Sequence, residues 1–382
     1  MKKKVLIDAT PVTSLVDGLS NYIVNLIKYL PPESFGEFEY TILINKGLQR
    51  DDLTSIITSG NFQVLEKHIA PIGPKRDWDM FCFFLKYRKR FDVVHITSNN
   101  YPFILNKGII TIHDITFKRF FDNPKYTFNL ATAYMNKVIG NSLKKTCAII
   151  AISKSTKNEL IKWYNLDEKY SEKIKVIYEG WEHVIPTDPY KNVLPEYIKA
   201  TKGNFIFYLG TLRIHKNIAG LLEAFLLTLD HIPSDKKLAI SGSGKNIKKN
   251  DLKIFNKINK NGERVFFTGY LPGSSVEEYF TNADCYILPS LSEGFGLPIL
   301  EAFYFQTPVL CSNTTSLTEV AGQAAIYFDP YNPRDIAKAI IEFYNDPLLS
   351  KKLIEEGNEQ LKKFSWKKTA QETVEVYRNS VK

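Results

Sequence analysis

Short apolar runs of about four to six residues alternate along the whole chain with longer stretches whose apolar positions recur every three or four residues. Continuous short runs read as strands buried on both faces, and their alternation with helical spacing predicts βαβ units and parallel sheets. In the first half the strands are expected at 4–9, 40–44, 93–97, 108–113, 148–153 and 175–178. In the second half they are expected at 205–210, 237–241, 265–268, 285–288, 309–312 and 325–328. The segment 21–30 has helical spacing and stops before Pro31-Pro32, as helices do. From Trp366 onward the pattern is that of a last amphipathic helix. The stretch 185–203 is polar, holds Pro186, Pro189 and Pro195, and has no strong period. The pattern therefore predicts two α/β domains, 1–185 and 204–365, with a linker at 186–203.

Length agrees with that division, because 382 residues exceed one ordinary domain and suit two of roughly 150–200 residues each. A hydrophobic content of 44% with 24% charged residues is that of a globular protein in water. No window approaches the ~18 apolar residues of a membrane-spanning helix. The start, Met1-Lys2-Lys3-Lys4-Val5-Leu6-Ile7-Asp8, has too short an apolar part for a secretion signal and reads as a first strand. The expected location is the cytoplasm. Cys82, Cys147, Cys285 and Cys311 are widely spaced in apolar runs, which argues against a disulfide framework and against structural zinc. The net charge of +9 suits diphosphates or anionic lipid head groups and equally suits a solvated surface. No clustered basic face or nucleic-acid module is present, so nucleic acid is not an expected partner.

The chemistry concentrates in Ser292-Glu293-Gly294-Phe295-Gly296-Leu297-Pro298-Ile299-Leu300-Glu301-Ala302. It follows the apolar run that ends at Leu288-Pro289. Two glycines let the backbone turn sharply and approach a ligand. Pro298 suits the first position of a helix. A strand, a glycine turn and a helix start in this order offer backbone N–H groups to an anion at the carboxyl end of a strand. Glu293 before the turn and Glu301, expected in the first helical turn, add two carboxylates. The combination suits a ligand with both phosphates and hydroxyls, such as a nucleotide sugar.

This segment resembles the E-x7-E signature of the retaining glycosyltransferases of family 4, the group 1 glycosyltransferases. The resemblance implies the α/β fold called GT-B, two Rossmann-like domains facing across a cleft. In that family the C-terminal domain holds the nucleotide and the N-terminal domain the acceptor, and the last helix, here 366–382, packs back on the N-terminal domain. The likeness covers nearly the whole chain and is strongest over 205–330. It implies that Glu301 binds the ribose hydroxyls and that Glu293, with the backbone of Gly294, Phe295, Gly296 and Leu297, holds the donor sugar.

Four further segments carry the resemblance. In Tyr208-Leu209-Gly210-Thr211-Leu212-Arg213-Ile214-His215-Lys216-Asn217 a strand ends at Gly210, and Asn217 can cap the helix that follows. The segment is similar to the family's phosphate-binding loop, in which Lys216 stands at the position of the cation on the donor diphosphate. Thr211 stands where many members have arginine, so either Arg213 substitutes or the second cation comes from elsewhere. His113 ends the strand Ile109-Ile110-Thr111-Ile112 and matches a strand-end histidine that contacts the sugar, although a lone strand-end histidine is by itself more often structural. Gly18, in Asp17-Gly18-Leu19-Ser20, resembles a loop that approaches the diphosphate or acceptor, without the usual second glycine. Tyr178-Glu179-Gly180 departs from the usual Asn-Gly.

Other signals are weaker. His95 reads as structural, and Asp114 as either a loop cap or an acceptor contact. Thr314-Thr315-Ser316-Leu317-Thr318-Glu319 resembles the segment after the E-x7-E helix, with Glu319 at a helix start. Gly242-Ser243-Gly244-Lys245 lacks P-loop spacing. Asp77-Trp78-Asp79 precedes a helix and reads as capping, not as a metal-binding Asp-x-Asp. The segment 75–90 interleaves aromatics and cations and is the candidate for contact with an anionic membrane surface. An ordinary helix with its aromatic side in the core is the favoured alternative.

Taken together, the resemblance implies a retaining, metal-independent transferase that needs no cofactor. It would move a sugar from a nucleotide-sugar donor to a glycan or lipid-linked hydroxyl in bacterial polysaccharide or lipopolysaccharide assembly. Likeness to bacterial mannosyltransferases points to guanosine-diphosphate mannose as the donor. Its expected catalytic residues are Glu293, His113 and Lys216, and its donor-binding residues are Gly18, Gly210, Arg213, Lys216, Glu293, Gly294, Phe295, Gly296, Leu297 and Glu301. The alternatives are another GT-B enzyme, such as a nucleotide-sugar epimerase or glycan phosphorylase, and a GT-B protein that binds glycan without turnover.

Overall fold

The computed structural model describes residues 1–15, 17–71, 73–121, 130–184, 204–244, 247–271 and 273–381. The expected linker at 186–203 and Lys245 lie outside them. Contacts divide the chain into two compact units, Met1–Gly180 with Ser365–Lys382, and Trp181–Phe364.

The first unit is built on seven parallel strands: β1 (Lys3–Asp8), β2 (Phe38–Asn45), β3 (Gln63–Lys67), β4 (Val93–Ile96), β5 (Ile109–Ile112), β6 (Ala148–Ala151) and β7 (Ile174–Val176), in the order β3-β2-β1-β4-β5-β6-β7. Their direction of progression reverses between β1 and β4, where Val5 pairs with Val93 and Asp8 with Ile96. Every residue of β4 and β5 is buried, as expected for strands covered by helices on both faces. The second unit has six parallel strands: β8 (Phe205–Tyr208), β9 (Lys237–Ile240), β10 (Val265–Phe267), β11 (Cys285–Leu288), β12 (Val309–Ser312) and β13 (Ala325–Phe328). Their order is β10-β9-β8-β11-β12-β13, with the reversal between β8 and β11. Both are doubly wound sheets, and in such sheets ligands collect at the carboxyl ends of the strands flanking the reversal.

Twelve of these thirteen strands follow from the apolar runs, and β3 does not. Its sequence, Gln63-Val64-Leu65-Glu66-Lys67, has only two apolar residues, because it lies at the sheet edge with one flank in water. Several predicted strands are also shorter than expected. The run 148–153 ends at Ala151, because Ser153 leaves the sheet to cap the helix Lys154–Tyr164 and accepts the Thr156 N–H at 3.0 Å.

The last helix, Trp366–Ser380, belongs to the first unit. Trp366 is fully buried, with its ring 6.1 Å from that of Tyr22 on the helix Gly18–Lys28. Arg378 forks onto Glu37 with bonds of 2.8 and 2.6 Å. Tyr377 joins an internal chain of hydrogen bonds: Tyr377 hydroxyl to His95 Nδ1 at 2.7 Å, His95 Nε2 to Thr111 Oγ1 at 2.8 Å, and Thr111 Oγ1 to the Tyr22 hydroxyl at 2.9 Å. Burial, and then the neighbouring His113, push the His95 imidazole down to about 3. His95 is thus a neutral core residue that ties the last helix to the sheet.

The helix Pro74–Tyr87 corrects the reading of Asp77 and Asp79, which lie inside it; its N-cap is Gly73 at φ 89°. Asp79 accepts the Ala70 N–H at 2.9 Å and Asp77 accepts the Tyr134 hydroxyl. Arg76 points into the core and meets Asp8, at the end of β1, in a buried ion pair of 2.6 Å. Met80, Phe83 and Phe84 are also buried. Trp78, Phe81 and Leu85 instead face outward, 65%, 37% and 57% exposed, and the first two stack at 5.7 Å. Among the described residues no helix is long and apolar enough to cross a membrane.

Candidate active site

In the second unit, the loops after β8 and β11 bring the two principal motifs together. The loop after β8 runs through Gly210, where an added Cβ would lie 2.6 Å from the Tyr208 hydroxyl and would have to displace that side chain. The Tyr208 phenol donates to the Thr211 carbonyl at 2.9 Å, and burial, then the Glu293 charge, raise it well above its ordinary value. The loop then makes a short helical turn, Ile214–Lys216, and the Leu291 N–H binds the His215 carbonyl at 2.7 Å. That bond fixes the β8 loop against the β11 loop. Across this junction Lys216 Nζ meets Glu293 Oε1 at 2.6 Å, with the two side chains 18% and 13% exposed. Ser290 Oγ donates to the same oxygen at 2.6 Å. Both contacts use Oε1, which leaves Oε2 of Glu293 without a partner among the described residues.

The turn behind Glu293 is pinned from the next loop. The Glu293 N–H donates to Thr315 Oγ1 at 3.1 Å, and Ser316 Oγ lies 3.0 and 2.9 Å from the Glu293 and Phe295 carbonyls. Gly296 takes φ 107°, a left-handed conformation that favours glycine, and a Cβ there would also strike Leu317 at 2.8 Å. The helix Leu297–Tyr304 starts at that point, with Pro298 in its second position. Glu301 is therefore its fifth residue and begins the second turn, not the first. Its Oε1 is 3.0 Å from His183 Nε2, and Trp181 stacks on Tyr304 at 4.9 Å. The side chains of Phe295 and Leu297 are buried. Asn217 does not cap as expected: it adopts a left-handed conformation, and its Nδ2 donates to the Pro330 carbonyl at 2.7 Å. Arg213 and Thr211 are exposed, and Arg213 has no ion-pair partner among the described residues.

In the first unit, His113 follows β5. Its N–H binds Asn99 Oδ1 at 3.0 Å and its Nε2 lies 2.9 Å from the Thr97 carbonyl, which can only accept. Tyr22 meets the imidazole edge-on at 4.8 Å, and Glu179 Oε1 is 3.7 Å from Nδ1. Asp114 accepts the Thr116 N–H at 2.9 Å, a local turn contact. Gly18 opens the helix Gly18–Lys28 with Asp17 as its cap, and nothing lies within 4 Å of where its Cβ would be.

Ser290 and His183 were not singled out from sequence, and Thr315 and Ser316 stood only within the segment 314–319, with no role assigned; His183 lies in the short helical turn Glu182–Val184. Only its position after a strand, three residues before Glu293, marks Ser290.

Two family models match the chain: glycosyl transferases group 1 over residues 191–360, and glycosyltransferase family 4 over residues 16–183. O-antigen chain mannosyltransferase B of Escherichia coli is 30% identical over 75% of this chain and 74% of its own length. The serotype-specific mannosyltransferase WbdA of the same organism is 28% identical over 90% of this chain and 45% of that longer protein. Among solved structures, Anabaena HepE in complex with UDP and glucose superposes with a TM-score of 0.74 at 14% identity, covering 99% of this chain and 100% of its own. The chain belongs to the group 1 glycosyltransferases of family 4, and its fold is GT-B, with two parallel-sheet Rossmann-like domains. It is a hexosyltransferase.

Proposed function

We propose that this chain transfers a hexose, with retention and without a divalent metal, from a nucleotide sugar to a hydroxyl of a glycan or lipid-linked glycan in bacterial polysaccharide assembly. Guanosine-diphosphate mannose is the first donor to test, by relationship to the O-antigen mannosyltransferase. The observation that carries the reading is the Lys216–Glu293–Ser290 cluster in the same unit as the His183-held Glu301.

In this reading Lys216, with Arg213, neutralises the diphosphate as it leaves, the charge stabilisation a site without metal requires. Glu293 Oε2 accepts a hydroxyl of the donor sugar, while Ser290 and Lys216 fix the carboxylate through Oε1. Glu301 accepts from the ribose hydroxyls. The acceptor hydroxyl attacks the anomeric carbon on the face the phosphate leaves. The bond from that carbon to the phosphate oxygen breaks, the bond to the acceptor oxygen forms, and the acceptor proton passes to the departing phosphate. Glu293 supports charge and position and is not written as a nucleophile.

The enzyme is proposed to act in the cytoplasm, where the outward Trp78, Phe81 and Leu85, with the exposed cations Lys75, Lys86, Arg88, Lys89 and Arg90 near them, would rest on an anionic lipid surface. Co-sedimentation with phosphatidylglycerol vesicles at low salt, lost in Trp78→Ala/Phe81→Ala, is the expected result; equal recovery of both proteins would remove this part. For the activity itself, Glu293→Ala and Lys216→Ala should each lower transfer by about 100-fold or more, the scale for losing one preorganised charge contact. Both variants should keep the wild-type circular dichroism. Normal turnover in either would sink the site.

A further inference from the structure

We infer that His183 is a positioning residue for the Glu301 carboxylate and thereby sets which ribose hydroxyl the nucleotide site reads, an inference that rests on the reading of Glu301 as the ribose contact. Both residues lie in the second unit, and their side chains are 8% and 11% exposed. His183 Nε2 is 3.0 Å from Glu301 Oε1. An ionised carboxylate only accepts, so Nε2 carries the hydrogen and donates it, which a neutral imidazole does as well as a charged one.

The imidazole reaches Glu301 from a turn that is itself anchored. The turn Glu182–Val184 is closed by the Val184 N–H on the Trp181 carbonyl at 3.1 Å. Trp181 stacks on Tyr304, with ring centroids 4.9 Å apart and planes at 28°. Glu301 and Tyr304 are three residues apart in the helix Leu297–Tyr304, so their side chains are neighbours on one face. Trp181 and His183, two residues apart in the chain, each engage one of them. The stack thus fixes the place from which the histidine donates.

A glutamate side chain turns about three bonds, and the torsion that sets its carboxylate plane is broad. With Oε1 held by His183 that plane is fixed, and Oε2 has no hydrogen-bond partner among the described residues. Oε2 is then the oxygen that receives a ribose hydroxyl. A carboxylate fixed in this way discriminates a hydroxyl from a hydrogen at one carbon of the sugar, because a nucleotide without that hydroxyl leaves a charged oxygen unpaired in the complex. A carboxylate free to turn would meet either hydroxyl or water and would discriminate less.

Isothermal titration calorimetry on the full chain, in EDTA, tests this. Guanosine, uridine and adenosine diphosphates are screened first. The tightest binder is then compared with its 2′-deoxy and 3′-deoxy forms in wild type, His183→Ala and His183→Gln, the last placing an amide N–H near the Nε2–H. Removing the hydroxyl that Oε2 receives should weaken binding to wild type about 10- to 100-fold, the scale of a hydrogen bond to a charged group. That ratio should fall toward unity in His183→Ala and return to about tenfold or more in His183→Gln.

A merely structural histidine would lower the affinity for all the nucleotides alike and leave the ratio as in wild type, which would overturn the inference. Tighter ribonucleotide binding in His183→Ala would overturn it too, because the histidine would then block Glu301. Should His183→Ala fail to fold, His183→Leu, which keeps the bulk and lacks the donor, carries the comparison. The underlying reading fails separately. Wild type that binds no nucleotide, or binds ribo and deoxy forms equally, removes Glu301 as the ribose contact and this role of His183 with it.

Discussion

Lys216 and Glu293 hold one another at 2.6 Å, and Ser290 adds a second contact on the same carboxylate oxygen. A hydrogen bond to a charged group contributes about 1.5–3 kcal/mol, so Ser290→Ala is expected to reduce transfer roughly 10- to 100-fold with little loss of stability. Steady-state kinetics beside a thermal melt would check it; full activity would mean that Lys216 alone orients Glu293. His95 gives a pH prediction of known sign. Its imidazole is held down to about 3 in the folded chain, against an ordinary 6.5, so below pH 6.5 the unfolded chain binds a proton that the folded chain does not. Stability should therefore fall as pH drops from 6.5 toward 3, by up to about 1.4 kcal/mol per pH unit from this residue. His95→Gln should flatten that part of a urea-midpoint profile relative to wild type, and parallel profiles would contradict the assignment. Glu293, Glu301 and Lys216 were singled out through the resemblance of their segments to the family's motifs, and the structure brings Lys216 and Glu293 into contact. The contacts of Ser290 and His183 were not foreseen, and Thr315 and Ser316 stood only inside a segment given no role, because a hydrogen-bond partner leaves no periodic mark in sequence.

Strands and helices show a similar division. The strands of both sheets were legible because a parallel sheet covered on both faces needs uninterrupted apolar runs, as in Cys285-Tyr286-Ile287-Leu288. β3 escaped because an edge strand has no such need. Asn217 was misread for a different reason: an asparagine before a helix usually caps it, but here the left-handed backbone turns the side chain to the Pro330 carbonyl. The helix Pro74–Tyr87 has the inward aromatic side of an ordinary amphipathic helix in Phe83 and Phe84, and it turns Trp78 and Phe81 outward. At the chain's end, the helix Trp366–Ser380 buries its first residue completely. Trp366→Ala should cost about 3–5 kcal/mol in the first unit, from lost apolar burial and the cavity left behind. A urea titration followed by circular dichroism should show an earlier transition; an unchanged midpoint would mean that the helix contributes little there.

At the level of the whole molecule, two doubly wound sheets share one plan; in the second the residues of interest lie beyond the strands flanking the reversal, Lys216 after β8 and Glu293 after β11, while in the first His113 follows β5, the neighbour of the flanking strand β4. The family relationship makes the chain a hexosyltransferase, and the nucleotide-sugar site on Lys216, Glu293 and Glu301 is the central proposal. The most direct test is thermal stabilisation in EDTA by a panel of guanosine, uridine and adenosine diphosphates and their hexose derivatives. A ligand at 100 times its Kd adds about 2.7 kcal/mol, which for a domain of this size raises Tm by roughly 5–10 °C. At least one nucleotide should stabilise the wild type by that order, and Glu301→Ala and Lys216→Ala should abolish the shift. A panel without any shift, or a shift that survives both substitutions, would contradict the site.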